Sequence, residues 1–231
     1  MRLHDMNAKL GIGALALALI AGFGLWSTTR APEAAGTSLL PTMAANAQEA
    51  PAAGEAIEIK DMALGSPDAK VKIIEYASYT CPHCATFHEA VFKPLKADYI
   101  DTGKVHFTFR EVYFDRYGLW AAMVARCGGD MRYFGISGLL MEKQSEWAAT
   151  DDPLVAVENI KTIGRTAGMD DATLGACMEN GAMAQAMVTT SQANMEADGI
   201  QGTPTLMING VKHSNMSYAD LKAIIEEELA K

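Results

Sequence analysis

The sequence predicts an α/β domain carrying an all-helical insertion, and three patterns point to it. Apolar residues cluster in strand-like stretches at Ile57–Ile59, Val71–Tyr76 and Val105–Phe109. From about Tyr117 to Asp198 the reading is helical throughout. Two further strands, Thr205–Ile208 and Val211–His213, then flank Asn209-Gly210, the two-residue hairpin signal that supplies positive φ. The order is β-β-α-β, a helical block, then β-β-α. A chain of 231 residues with 49% hydrophobic content has the material for a core, and 20% charged residues is too few for wholesale disorder.

Before this domain comes different chain. Leu10–Thr29 is an uncharged run of 20 residues preceded by Arg2 and Lys9, long enough for a helix to cross a bilayer. The basic flank belongs in the cytoplasm, so the run predicts export of the chain beyond it. Residues 1–30 read as a cleaved signal peptide, with Ala45-Asn46-Ala47 as a small-residue site, or as an uncleaved anchor. The domain is therefore expected in the periplasm, free or tethered to the inner membrane by residues 10–29. Residues 31–56 hold ten Ala, three Pro, two Gly and no aromatic residue, the composition of a flexible linker without a heptad pattern. Beyond residue 47 the chain carries 16 basic and 26 acidic groups, which disfavours a nucleic-acid partner and any anionic surface.

Within the domain, Gly65-Ser66-Pro67-Asp68 marks a turn between the first two strands. Residues from about Cys84 to Ile100 suit a helix, since Phe87, Val91, Leu95 and Tyr99 recur at its spacing; Pro94 should kink it. In the insertion, Asp130 caps a helix running to about Lys143, and Thr150-Asp151-Asp152-Pro153 opens one that Gly168 closes. Asp170 and Asp171 start a short helix ended by Gly181, and a fourth stops at Gly199. Ser217 caps a closing helix with Leu221, Ile224, Ile225 and Leu229 on one face. The aromatic stretch Phe114–Trp120 is expected to pack between the two parts of the domain. Ten of the 14 methionines lie from Met123 onward and are expected to fill gaps in the helical core.

The chemistry sits in Cys81-Pro82-His83-Cys84, two thiols at C-x-x-C spacing after a strand and at the opening of a helix. The thiolate is the reactive species, and the helix N-terminus places partial positive charge and free N–H groups near Cys81. Its pKa should fall, which makes Cys81 a good leaving group and the Cys81–Cys84 disulfide an oxidant. His83 adds imidazolium charge or a hydrogen-bond donor beside that sulfur. An inert disulfide, or half of a zinc site completed by His88, are the alternatives; zinc wants four ligands and no second matching pair exists. No metal and no cofactor are implied.

Cys81-Pro82-His83-Cys84, together with Gly202-Thr203-Pro204-Thr205 and the helical block between them, resembles the DsbA-like disulfide oxidoreductases of the thioredoxin superfamily over about residues 57–231. The resemblance implies a thioredoxin fold with an inserted all-helical subdomain at about 117–198. It implies that Cys81 is the exposed nucleophile forming a mixed disulfide with a substrate thiol, and Cys84 the buried resolving sulfur. It also implies a cis bond before Pro204, with the backbone of Thr203 offered to an extended substrate. Glu75, six residues before Cys81, stands where the superfamily often has a buried acid, placed to take the proton from Cys84; a solvated carboxylate on a strand face is the alternative. The implied partners are reduced exported proteins and a quinone-coupled, DsbB-like membrane oxidase.

Cys127 and Cys177 fall on separate insertion helices, and an oxidising compartment favours a second, structural disulfide between them over two buried thiols. The expected activity is that of a monomeric exported thiol oxidase. A disulfide isomerase or reductase of the same fold, and a redox-inactive peptide-binding chaperone, remain the alternatives.

Overall fold

The computed structural model describes residues 57–231. The apolar run 10–29, the Ala45-Asn46-Ala47 site and the linker 31–56 lie outside the described residues. Among the described residues no helix is long and apolar enough to cross a membrane.

Five strands form one sheet in the order β1-β3-β2-β4-β5: β1 Met62–Leu64, β2 Val71–Ala77, β3 Val105–Glu111, β4 Thr205–Ile208 and β5 Val211–Ser214. β2 and β3 run parallel and the other pairs antiparallel. The first strand lies later than the Ile57–Ile59 alternation predicts. Pairing begins where Met62 meets Phe109 and is buried against it, whereas Ile57 is 44% exposed. Asp61, just outside the strand, is held by the Arg110 guanidinium at 2.8 Å.

α1 follows β2 and runs without a break from Pro82 to Ile100. Its turns alternate, α over Pro82–Phe87 and Lys93–Leu95, and π over His88–Phe92 and Lys96–Ile100. Pro94 has no N–H to donate and its ring crowds the preceding turn. Widened π turns stand on both sides of it. Phe87, Val91, Leu95 and Tyr99 are all buried, as their spacing requires.

The insertion comprises α2 Arg116–Cys127, α3 Asp130–Glu142, α4 Gln144–Trp147, α5 Pro153–Thr166, α6 Asp171–Met178 and α7 Gly181–Ala197. Asp115, Asp152, Asp170 and Asn180 each accept a backbone N–H of the helix they cap, at 2.7–2.9 Å. Three details depart from the sequence reading. α3 is capped by Gly129 at φ 72, and Asp130 is its first residue. α6 already ends at Met178, because Asn180 has become the cap of α7 and Gly181 its first residue. Short α4 has no counterpart in the sequence reading. α8, Tyr218–Ala230, closes the chain with Ser217 as its cap.

Sheet and insertion share one apolar core, in which Ile73, Phe107 and Leu206 of the sheet join Val124, Ile136, Leu140 and Ile160 of the insertion. Met123, Met141, Met169 and Met187 are buried in it, while Met131 is fully exposed. Phe114 does not pack between the parts as the aromatic stretch suggests. It is 58% exposed, whereas Tyr117, Leu119 and Trp120 lie partly against the core, with Arg116 over the Tyr117 and Trp120 rings. The firmest polar tie is the buried Arg126–Glu111 pair, at 2.5 and 2.9 Å, which joins α2 to the end of β3; Tyr133 donates to the same carboxylate at 2.7 Å.

Cys127, the last residue of α2, is bonded to Cys177 of α6 with a Cα–Cα distance of 6.1 Å. Closing that 50-residue loop restricts the unfolded chain. The double variant Cys127→Ser, Cys177→Ser is expected to lose on the order of 4 kcal/mol of unfolding free energy in denaturant titration. A non-reduced digest should contain the linked peptides, and their absence in mass spectrometry rules out the pairing.

Candidate active site

Strand register assembles the site. β4 pairs with β2 so that Thr205 faces Tyr76 and Leu206 faces Glu75, which brings the residues just before β4 to the end of β2. There Ser78-Tyr79-Thr80 leads into α1, with Cys81 as the helix cap (φ −85, ψ 115) and Pro82 at the first helical position, where an N–H is dispensable. The Thr203–Pro204 peptide is cis. Its loop lies against the thiols: the Cys81 thiol donates to the Thr203 carbonyl at 3.5 Å.

The two sulfurs are free and differently solvated: Cys84 is 0% exposed, whereas Cys81 is partly open. Burial alone would raise the Cys81 thiol. The Thr203 hydroxyl, the Cys84 backbone and thiol, and the His83 backbone outweigh it and bring Cys81 below its ordinary value. Cys84 goes the other way, raised by burial and by the neighbouring Glu75 carboxylate. Pro82 and His83 are exposed on the rim, and His83 offers its backbone to the sulfur from there.

Glu75 is no solvated strand carboxylate. It is 3% exposed, between Phe109 of β3 and Leu206 of β4, and burial followed by the charge of Cys81 pushes it up to about 8. Cys127 and Cys177 stand apart from this group, in the insertion. Among the described residues no cluster of three or more His, Cys, Asp or Glu side chains is disposed to hold a metal ion.

The structure adds residues that no motif announces. Thr80 donates to Asp115, the cap of α2, at 2.6 Å. Gln144 of α4 donates to the carbonyls of Tyr79 and Cys81. Next to the cis peptide, an open groove of about 430 Å³ runs along Gln201, Thr203, Pro204 and the β5 residues Lys212 and His213.

The Thioredoxin family profile matches residues 58–227. The chain belongs to the thioredoxin family. Its architecture, a thioredoxin sheet with a helical insertion, is that of alpha-DsbA1 from Wolbachia pipientis, with a TM-score of 0.68 and 28% identity over 72% of this chain and 89% of that one. A Rickettsia bellii protein bearing the name of a protein-disulfide oxidoreductase is 30% identical over 174 residues, 75% of this chain and 66% of its own length. The chain thus spans just under two thirds of that relative. Disulfide bond formation protein D of Bacillus subtilis is 28% identical over 72% of this chain and 76% of its own.

A buried carboxyl whose pKa is raised by folding binds its proton more tightly in the native state than in the unfolded one. Its favourable contribution is present below the unfolded value of 4.5 and is lost as pH rises toward about 8. Glu75→Gln should therefore stabilise the reduced protein at pH 7, by on the order of 3 kcal/mol, with the gain vanishing near pH 4. Equal pH–stability curves for the two proteins in denaturant titration would show that Glu75 is not held neutral.

Proposed function

We propose that this thioredoxin-family protein is an exported thiol oxidase that gives its Cys81–Cys84 disulfide to newly translocated proteins. A substrate thiolate attacks Cys81 Sγ; the substrate–Cys81 bond forms, the Cys81–Cys84 bond breaks, and Cys84 leaves with the electron pair. Glu75, kept neutral by burial, supplies the proton that the buried Cys84 sulfur needs. A second substrate thiolate then attacks the substrate's sulfur in the mixed disulfide, and Cys81 departs as a thiolate. Two substrate thiols are oxidised and the Cys81–Cys84 pair takes up both electrons. On reoxidation, Glu75 takes the proton back from Cys84.

The single observation that carries this reading is the split between the sulfurs: Cys81 accessible and below its ordinary pKa, Cys84 buried and above it. The accessible sulfur is then both the point of attack and the better final leaving group. Thr203 and Pro204 supply backbone for strand-like pairing with an extended substrate segment. The names of the relatives support the same chemistry, a protein-disulfide oxidoreductase and a disulfide bond formation protein. Residues 10–29 direct the domain to the periplasm as a signal peptide or inner-membrane anchor. The protein works as a monomer there, and a quinone-coupled, DsbB-like membrane oxidase restores its disulfide.

Cys81→Ser is expected to abolish oxidation of a reduced test protein, and Cys84→Ser, first charged on Cys81 as its glutathione mixed disulfide, to exchange glutathione for the substrate and accumulate a substrate adduct on Cys81 visible by mass. Equilibration with glutathione should place the pair in a strongly oxidising range. A potential in the reducing range of cytosolic thioredoxin would reassign the protein as a reductase, and undiminished client protection by Cys81→Ser as a chaperone.

A further inference from the structure

Gln144 is a buried side chain of α4 that hydrogen-bonds to the turn carrying Cys81. It is 8% exposed, and its Nε2 donates to the Tyr79 carbonyl at 2.7 Å and the Cys81 carbonyl at 3.0 Å. A carboxamide nitrogen has two hydrogens, so both are committed to this turn. The same Cys81 carbonyl accepts from the N–H groups of Cys84 and Ala85 at 3.0 and 3.2 Å, which makes it the first acceptor of α1. The Cys81 N–H is fixed in turn by the Ser78 carbonyl at 3.1 Å. Trp147, the other buried residue of α4, donates its Nε1 to the Leu140 carbonyl of α3 at 2.7 Å and not to this turn.

Resting on the thiol-oxidase reading, we propose that Gln144 is a positioning residue, whose carboxamide fixes the Tyr79 and Cys81 peptide planes so that Cys81 Sγ stays between the start of α1 and Thr203. Without that donor, the Tyr79 carbonyl loses a buried partner and the Cys81 carbonyl keeps only its two helical donors, which loosens the turn before the cap. The N–H groups of His83 and Cys84 are then no longer held on the sulfur. The charged and titratable groups around Cys81 are Cys84 and His83 on α1, Glu75 from β2, and Asp115 at the start of α2 through Thr80. The cis-proline turn, residues 202–204, brings none. Lys143 and Glu146, beside Gln144, are exposed and pair with each other at 3.2 Å. An uncharged substitution at 144 alters none of these, so any change in Cys81 titration reports the carboxamide.

The test compares full-length wild type, Gln144→Met, Gln144→Glu and the control Trp147→Phe. Two readouts are taken, the pH dependence of Cys81 alkylation by iodoacetamide and the equilibrium with glutathione. Both Gln144 variants keep the side-chain length; the first removes the donors and the second replaces them with oxygens. The expected result is a Cys81 midpoint higher by about one pH unit in Gln144→Met, and by at least as much in Gln144→Glu. The glutathione equilibrium should shift about tenfold toward the oxidised protein, about 30 mV for a two-electron couple. Trp147→Phe should lower the melting temperature with an unmoved midpoint. A wild-type midpoint in Gln144→Met, whatever Gln144→Glu does, or an equal displacement in Trp147→Phe, overturns the proposal. A wild-type protein that oxidises no thiols sinks the thiol-oxidase reading instead, while the alkylation comparison still decides the role of Gln144.

Discussion

Burying one sulfur while leaving its partner at the surface is the constraint on which the rest of the site depends. Cys81 and Cys84 lie within one helical turn, yet the first caps α1 at the end of β2 and the second faces the core. Desolvation disfavours an anion wherever it acts, and it acts on both. The difference lies in the compensating donors. Cys81 has the Thr203 hydroxyl and the opening N–H groups of the helix, whereas Cys84 also faces Glu75. The split between the two thiols is therefore a property of the helix start and the cis-proline turn together.

That geometry is held from the insertion as much as from the sheet. Asp115 reaches Thr80, and Gln144 reaches Tyr79 and Cys81, so the first and third helices of the insertion grip the same short turn from different elements. Below them the Tyr79 hydroxyl meets Ser137 and Tyr133, at 3.0 and 3.3 Å, and Tyr133 leads on to the Glu111–Arg126 pair. A buried ion pair offers little net stability once desolvation is counted, but removing either partner strands a charge, so it fixes how the layers sit together. Helices inserted between β3 and β4 thus help to position the turn that leads into Cys81.

What could be read in the sequence was what local pattern encodes. The C-x-x-C turn, the Asn209-Gly210 hairpin (φ 46 and 84) and the caps at Asp152, Asp170 and Ser217 depend on neighbours in the chain, and their residue types name them. Glu75 was legible only as a position, because burial is set by Phe109 and Leu206 on other strands. Ile57–Ile59 misled because alternation fixes a face but not where pairing starts; Met62 opposite Phe109 decided that. Gln144 and Asp115 carried no signal. One comes directly after Lys143, where the preceding helix was read to end, and the other looks like an ordinary helix cap; only the tertiary arrangement gives them the catalytic turn as a partner.

The proton and the electron pair are managed by the same cluster. Burial is the largest cause of the raised values of both Glu75 and Cys84; beyond it, Glu75 is raised by Cys81, and Cys84 by Glu75 and Cys81. Three acids this close cannot ionise independently, so the first to lose its proton suppresses the others. Cys81 goes first because it alone has net stabilising donors. Once it is an anion, Glu75 keeps its proton through neutral pH. In the oxidised protein the Cys81 charge is gone, but burial still favours neutral Glu75, so in the proposed reaction the proton is in place when the disulfide opens and Cys84 needs it. The same burial that makes Cys84 a poor anion therefore also stores, one strand away, the acid that spares it from being one.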